Sequence, residues 1–313
     1  AKILLRESDK INIFSIGHQQ DSPDLKAVRV LYKWFGTTFP SINANFHLVN
    51  FDYAKGFQSI PDVITHLQTY DVTTIRAATP QFILSAYIRQ KTTVRVVLSG
   101  EGSDELCGGY QYFKLAPTAT DARLETLKLL GELHYFDVCR TDRVTAAHGL
   151  EVRVPFLDLD FVKFVLMLPP HLLLPYHREK GVDCTALQSV EDKLQCVEKY
   201  LLRDLFEDLL PSPILWRRKD AFSDAVGYPW VDYIQQQADA LISDEVMLTA
   251  PARFPIHTPQ TKEAMWYRLL YEEHVLKPQM EQPPIPHFWM PNKKWTGENL
   301  KDPSARVLSC FRQ

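Results

Sequence analysis

The chain has 313 residues, 45% of them hydrophobic and 23% charged, with a formal net charge of −3 and a pI near 6.4. This composition predicts a folded protein with a substantial core, in one large domain or two lobes, and gives no electrostatic reason to expect nucleic acid or an anionic membrane as a partner. No apolar run reaches the roughly 18 residues of a membrane span, and no signal peptide is predicted at the start of the sequence.

The first 115 residues alternate predicted strands and helices, which is typical of a doubly wound parallel sheet of the α/β class. Strands are predicted at 12–16, 46–49 and 94–98. One helix is predicted to begin after Ser22, because serine is a good N-cap and Pro23 suits the first turn. Two more are predicted to begin at Ser59 and at Pro80.

From about residue 120 the pattern becomes helical throughout. Four leucines at helical spacing are expected to form a buried stripe: Leu124, Leu127, Leu130 and Leu133. Residues 176–197 are polar with few large apolar side chains and are interpreted as a surface excursion. The five cysteines are widely spaced and form no CxxC pair, so zinc and redox motifs are not expected and a reducing compartment fits best.

The segment that follows the third predicted strand is the most informative part of the sequence. It reads Ser99-Gly100-Glu101-Gly102-Ser103-Asp104-Glu105, with two glycines and three carboxylates. Glycine lets a ligand approach backbone N–H groups, carboxylates are good ligands for Mg²⁺, and ligands of open α/β sheets bind at the carboxyl ends of strands. The segment therefore predicts a nucleotide or metal site, and the alternative is a tight turn with solvated acids.

A second candidate segment is strongly basic. Arg217, Arg218 and Lys219 follow one another and precede Asp220-Ala221-Phe222-Ser223-Asp224. Lysine binds phosphate as a point charge and arginine can clamp an oxyanion, so the segment is a candidate phosphate site, and the alternative is a solvated surface patch. Arg153 and Asp158 are interpreted as members of structural ion pairs.

These segments, taken together, resemble the synthetase half of the glutamine-dependent asparagine synthetases. The resemblance spans essentially the whole chain in the order that the family has. It rests on matches at 14–17, 21–25, 69–77, 98–105, 108–110, 146–158, 198–199, 202–203, 216–224, 254–255, 258–259, 261–264 and 302–306.

The resemblance implies a two-step conversion of aspartate to asparagine, in which ATP forms a β-aspartyl-adenylate that ammonia attacks. By position, it assigns Glu101 to adenylate formation and proton acceptance, and Lys219 to neutralising the phosphates. Thr73 and Arg76 match positions tied to the aspartate substrate. The resemblance also implies nucleotide contacts at Ile16, Ser99 and Gly100, with Ile16 against adenine. It implies an Mg²⁺ contact at Asp104, with Glu105 as a second candidate.

The resemblance also implies the fold and the partners. Residues 1–115 are expected to form the nucleotide-binding part of a sheet of the PP-loop ATP pyrophosphatase type, and residues 116–313 a helical remainder. ATP and Mg²⁺ are the expected cofactors, in a cytoplasmic protein. Aspartate and ammonia derived from glutamine are the other expected substrates, with a glutaminase domain on the full-length polypeptide and a homodimer as a possible assembly.

The chain departs from the family pattern at its start. The pyrophosphate loop of the form SGGxDS and the first strand of the sheet are absent, so the natural protein is expected to be longer. The strands at 13–16 and 94–98 should then not pair with each other, and should flank a space of roughly 9–10 Å, two strand spacings. Two alternatives remain: a non-catalytic homologue that serves as a scaffold, and a β-lactam-forming synthetase of the same fold.

Overall fold

The computed structural model of the protein describes residues 10–20, 22–275, 283–297 and 300–303. Asp21, residues 304–306 of the last matching segment, and Cys310 lie outside these residues. The strands are β1 (Lys10–Gly17), β2 (Asn43–Asn50), β3 (Val96–Leu98), β4 (Glu151–Arg153), β5 (Tyr176–His177) and β6 (Val182–Asp183).

Helices make up most of the described chain. They are α1 (Pro23–Thr38), α2 (Tyr53–Leu67), α3 (Val72–Lys91), α4 (Ser103–Leu106), α5 (Ala119–Glu132), α6 (Asp137–Ala146), α7 (Leu159–Met167), α8 (Val190–Leu194), α9 (Tyr200–Asp204), α10 (Ser212–Leu215), α11 (Phe222–Ala225), α12 (Pro229–Leu241), α13 (Asp244–Leu248), α14 (Ala250–Arg253), α15 (Lys262–His274) and α16 (Lys293–Thr296). Short 3₁₀ turns lie at Gln111–Leu115, Leu133–Tyr135, Pro155–Leu157, Pro170–Leu173 and Cys184–Ala186. None of the helices in the described ranges is long and apolar enough to cross a membrane.

The predicted doubly wound sheet is not seen among the described residues, which instead form three separate strand pairs. β1 pairs with β2 in parallel, with Ile13 opposite Phe46 and Ile16 opposite Val49. β3 pairs in parallel with β4, and β5 pairs with β6 in an antiparallel hairpin. No ladder of hydrogen bonds joins β1 to β3 in this part of the chain, as expected from the sequence.

The start of α1 agrees with the sequence prediction. The Ser22 hydroxyl accepts a hydrogen bond from the Leu25 amide at 3.1 Å, which caps the helix, and Pro23 lies in the first turn. The same hydroxyl donates to the carbonyl of Ala225 at 2.8 Å. One buried serine therefore caps α1 and ties it to α11.

The helices predicted at Ser59 and Pro80 begin earlier than predicted. α2 starts at Tyr53 and α3 at Val72, because Asp52 and Asp71 act as side-chain N-caps. α3 runs through Pro80, which cannot donate the usual hydrogen bond to the carbonyl of Arg76. That carbonyl accepts a bond from the indole of Trp230 at 3.0 Å instead, so α12 supplies the donor that proline lacks.

The largest hydrophobic core lies between α2, α3, α12 and α15. Ile60, Val63 and Ile64 of α2 have no exposed surface and pack near Trp230 and Tyr267. This agrees with the apolar face that the spacing of these residues predicts. The core supports the C-terminal part of β1 through Ile16 and leaves one side of β1 facing a cavity.

The predicted leucine stripe is wrong for Leu124 and Leu127, although Leu133, just after α5, is buried as predicted. Leu124 is 60% exposed and Leu127 47%, whereas Ala122 and Leu129 are buried. A spacing of three residues falls short of a helical turn by 60°, so the four leucines wind around the helix and cannot share one face.

The segment 176–197 is less exposed than its polar sequence indicates. Cys184, Leu187 and Cys196 are buried and pack with Tyr112 and Phe113 in a second core. The segment therefore forms part of the helical lobe, and leads directly into Lys199 and α9.

Candidate active site

One cavity of about 1080 Å³ brings together most of the predicted site residues. It is bordered by β1 and β3 and by the loop that follows β3. Eight of the nine predicted residues line it: Thr73, Arg76, Ser99, Gly100, Glu101, Asp104, Glu105 and Lys219. The ninth, Ile16, is only 2% exposed and packs in the main core, where its predicted contact with adenine stays a prediction.

The loop after β3 contains two glycines with different structural roles. A Cβ atom built on Gly100 would meet no other atom within 4 Å, so its backbone faces open space that a ligand can approach. Gly102 has φ of +88°, and a Cβ there would lie 2.2 Å from the side chain of Leu157. Gly102 is therefore required by the turn into α4, and Gly100 leaves room at the cavity.

Glu101 is held by two residues of α6. Its carboxylate receives hydrogen bonds from the Arg140 guanidinium at 3.0 and 3.1 Å, and from the Thr141 hydroxyl at 2.7 Å. Arg140 is itself fixed by Asp137 at 2.9 Å and by Gln81 at 2.7 Å. Burial alone would lower the pKa of Arg140, but Glu101 and Asp137 raise it above its ordinary value. Glu101 thus lies in the cavity with its carboxylate oriented by α6.

Asp104 lies between two ammonium groups. The Nζ atoms of Lys199 and Lys219 are 2.9 and 3.1 Å from its two carboxylate oxygens. Burial by itself would raise the pKa of Asp104, but the two lysines together hold it well below its ordinary value. The family match at 198–199 assigns no role to Lys199, and the sequence gives no sign of the positive φ of 53° that Lys199 adopts.

Glu105 is in a different electrostatic environment. It is 3% exposed and accepts a short hydrogen bond from the hydroxyl of Tyr110. Burial, together with the negative charges of Asp137 and Asp104, raises the pKa of Glu105 to about 8. The carboxyl therefore keeps its proton at neutral pH.

The predicted Mg²⁺ contacts at Asp104 and Glu105 stay a prediction. Among the residues that the structure describes, no group of three or more histidine, cysteine and acidic side chains could hold a metal ion. Each oxygen of Asp104 contacts a lysine ammonium, and Glu105 is buried beside it. Mg²⁺ in nucleotide sites is usually held by one or two carboxylates together with phosphates, so this pair is the part of the described chain that the prediction concerns.

Arg76 is bound by two carboxylates of its own chain. Its guanidinium contacts Glu263 at 2.8 and 2.5 Å and Asp302 at 3.1 and 2.6 Å. The side chain is 2% exposed, so the predicted grip on a substrate carboxylate is not available in this conformation. Thr73 is better placed, because its hydroxyl has no hydrogen-bond partner within the described chain and the residue lines the cavity.

The chain matches the family model "Asparagine synthase" at residues 1–132 and 116–289. It is 42% identical over 307 residues to "Asparagine synthetase [glutamine-hydrolyzing]" of Cricetulus griseus, covering 96% of this chain and 49% of that protein. The proteins of the same name from Gallus gallus and Homo sapiens are 40% and 41% identical, covering 100% and 96% of this chain and 52% and 49% of those proteins. The chain thus spans about half the length of the curated relatives it matches.

Proposed function

Because the chain belongs to the asparagine synthase family, we propose that it catalyses the ATP-dependent amidation of aspartate to asparagine. An oxygen of the β-carboxylate attacks the α-phosphorus of ATP, and pyrophosphate leaves with the electrons of the broken P–O bond. Ammonia then attacks the acyl carbon of the aspartyl-adenylate, loses a proton, and AMP departs. The observation that carries this proposal is the convergence of eight predicted site residues on one cavity.

Lys199 and Lys219 are proposed to bind the phosphates. Both ammonium groups contact the one carboxylate of Asp104. The pair of lysines therefore keeps one excess positive charge before the nucleotide binds. Cations that are already in place stabilise the charge that develops on a leaving pyrophosphate without reorganising during the reaction. Ser99 and the open backbone at Gly100 are proposed to contact the nucleotide beside them. Mg²⁺ remains a prediction for the ATP complex, and no step here depends on it.

Glu101 is proposed to accept the proton that ammonia loses. Nitrogen becomes positively charged when it bonds to the acyl carbon, so even a weakly basic carboxylate can take its proton. Arg140 and Thr141 fix the direction of the carboxylate, which a proton acceptor requires.

Thr73 is proposed to hydrogen-bond the aspartate substrate through its unpartnered hydroxyl. For Arg76 we propose a positioning role, in which the pairing with Glu263 and Asp302 fixes the wall of the cavity beside Thr73. The predicted direct contact between Arg76 and aspartate would require release from at least one of these carboxylates.

The wider expectations follow from the family and remain proposals. The parallel pairs β1–β2 and β3–β4 are proposed to be parts of one doubly wound sheet of the PP-loop type. Ammonia is proposed to come from a glutaminase domain that works with this chain in a cytoplasmic enzyme, and a homodimer remains a possible assembly.

The test is to incubate the purified protein with ATP, Mg²⁺, aspartate and an ammonium salt and to measure asparagine, AMP and pyrophosphate. The three products should form in equal amounts. Glu101→Gln should lower the rate of asparagine formation by about 10²–10⁴-fold, the contribution of a general base, while Arg140 stays paired with Asp137.

Two results would contradict this function. A well-folded protein that forms neither AMP nor asparagine would favour the scaffold alternative. Release of AMP and pyrophosphate with a cyclised amide and no use of ammonia would favour a β-lactam-forming synthetase. Wild-type rates in Glu101→Gln would refute only the role of Glu101.

A further inference from the structure

A second cavity adjoins the candidate active site, and we call it the basic pocket. Its volume is about 360 Å³, and Arg218, Lys219, Asp220 and Phe222 line both cavities. Sites for small molecules have volumes of about 300–1,000 Å³, so this pocket has room for a small ligand.

The walls of the basic pocket carry an excess of positive charge. Five cationic side chains line it, against two carboxylates, Asp24 and Asp220. The cations are Lys199, Arg203, Arg217, Arg218 and Lys219. A cleft lined by charges of one sign concentrates ions of the other sign, so the pocket favours an anion.

The basic segment is held in place through its backbone. The buried carboxylate of Glu198 accepts hydrogen bonds from the Lys219 amide at 2.6 Å and from Arg203 at 2.8 Å. Arg203 also donates to the carbonyls of Leu215 and Arg217, and Gln111 donates to the carbonyl of Lys219 at 3.0 Å. Both neighbours of Arg218 are therefore fixed, and Arg218 is presented from a rigid support.

Arg218 differs from the other four cations because no carboxylate of the described residues contacts it, although the charge of Arg218 acts on Asp220 without a contact. Lys199 and Lys219 contact Asp104, Arg203 contacts Glu198, and Arg217 contacts Asp24 at 2.6 Å. Within the described ranges, Arg218 forms no hydrogen bond or ion pair. Its guanidinium is thus the group in the basic pocket that is free to bind an anion with two parallel hydrogen bonds.

We propose that the basic pocket binds inorganic pyrophosphate after it leaves the candidate active site. In this proposal the pyrophosphate first contacts Lys219 and then binds to the guanidinium of Arg218. This inference rests on the proposed function, because adenylation is the step that would produce pyrophosphate. Lys219 lines both cavities, so the anion can keep a charge-assisted contact while it moves from one to the other. The same phosphate chemistry is present in the β- and γ-phosphates of bound ATP, which are the other possible occupant.

The first experiment measures binding of inorganic pyrophosphate to the purified protein by calorimetry, without ATP or aspartate. Arg218→Gln should weaken binding about tenfold, since one hydrogen-bonded charge is lost, and Arg218→Lys should restore most of it. The matched control is Arg253→Gln, which removes one exposed arginine that lines neither cavity and should bind pyrophosphate as the wild type does. Asp220→Asn, which removes a nearby negative charge, should tighten binding.

The second experiment separates the two sources of phosphate by comparing inhibition by pyrophosphate with the KM for ATP. A change of about tenfold in the inhibition constant of Arg218→Gln, with an unchanged KM for ATP, is the expected result. Equal changes in both would assign the basic pocket to ATP and overturn the proposal. Equal pyrophosphate affinity in wild type, Arg218→Gln and Asp220→Asn would also overturn it. Calorimetry needs no turnover, so loss of the proposed function would leave this result standing.

Discussion

The carboxyl of Glu105 is buried beside other acidic groups, and no cation of the described residues forms an ion pair with it. Asp137 and Asp104 lie near it, and its hydrogen bond comes from the neutral hydroxyl of Tyr110. Its pKa is about 8 in the folded protein and near the ordinary glutamate value of 4.5 when unfolded. Folding therefore binds a proton in the range between these values.

The free energy of unfolding should fall as pH rises from about 5 to about 8. The contribution of Glu105 to the free energy of unfolding is fully present below the pKa of the unfolded state. It is lost as pH rises through the pKa of the folded state, and the free energy of unfolding then falls by at most about 1.4 kcal/mol per pH unit. Glu105→Gln keeps a neutral side chain at every pH and should flatten the slope. Denaturant titrations at several pH values test this, and identical slopes for both proteins would contradict it.

The sequence indicated which residues gather at the cavity better than it indicated what each one contacts. Glu101, Asp104 and Lys219 could be assigned to one site because the resemblance to the asparagine synthetases implies it, and all three line the cavity. The partners of Arg76 lie 187 and 226 residues further along the chain, so their pairing could not be read from spacing. No role could be assigned to Lys199 from the sequence for the same reason, because its partner Asp104 lies far away along the chain.

At the scale of elements, α3 shows how one helix depends on another. Its long course through Pro80 leaves the carbonyl of Arg76 without its usual donor, and the indole of Trp230 from α12 replaces it. A proline normally predicts a helix start or end, so the sequence placed the boundary at Pro80. The correct boundary depends on tertiary contact with α12.

Trp230→Phe should lower the free energy of unfolding by about 1–3 kcal/mol, because it leaves a buried carbonyl without a donor. Trp266→Phe is the matched control, since the indole of Trp266 donates no hydrogen bond among the described residues. Denaturant unfolding measures both variants. An equal loss in the two would mean that ring size, and not the hydrogen bond, determines the effect.

The two faces of α5 give a second test at this scale. Leu129 is 6% exposed and Leu124 is 60% exposed, although both belong to the same helix. Leu129→Ala should cost about 2–4 kcal/mol of stability and Leu124→Ala less than about 0.5 kcal/mol. Similar losses at the two positions would show that the helix is rotated from the orientation described here.

At the scale of the whole molecule, the sequence predicted the order of the elements in the first 115 residues but not one continuous sheet. β1, β2 and β3 lie close to the predicted positions, because short apolar runs between turns are local signals. β4 is a strand of three residues that pairs with β3 from a distant part of the chain, and so short a run carries no period of its own. The pairing of strands depends on the whole fold.

The rate at which the buried thiols of Cys184 and Cys196 react can report how often this part of the helical lobe opens. Burial raises the pKa of Cys184 to about 12 and that of Cys196 to about 11, so almost no thiolate is present near neutral pH. Iodoacetamide should therefore label the half-buried Cys139 first among the four cysteines of the described chain. Labelling of Cys184 and Cys196 should wait for segment 176–197 to separate from Tyr112 and Phe113. Mass spectrometry of labelled peptides over time would give that rate, and equally fast labelling of all four would show that this lobe is not closed. Because the segment leads into Lys199, we expect the labelling rate of Cys184 and Cys196 to match the rate at which that lysine separates from Asp104.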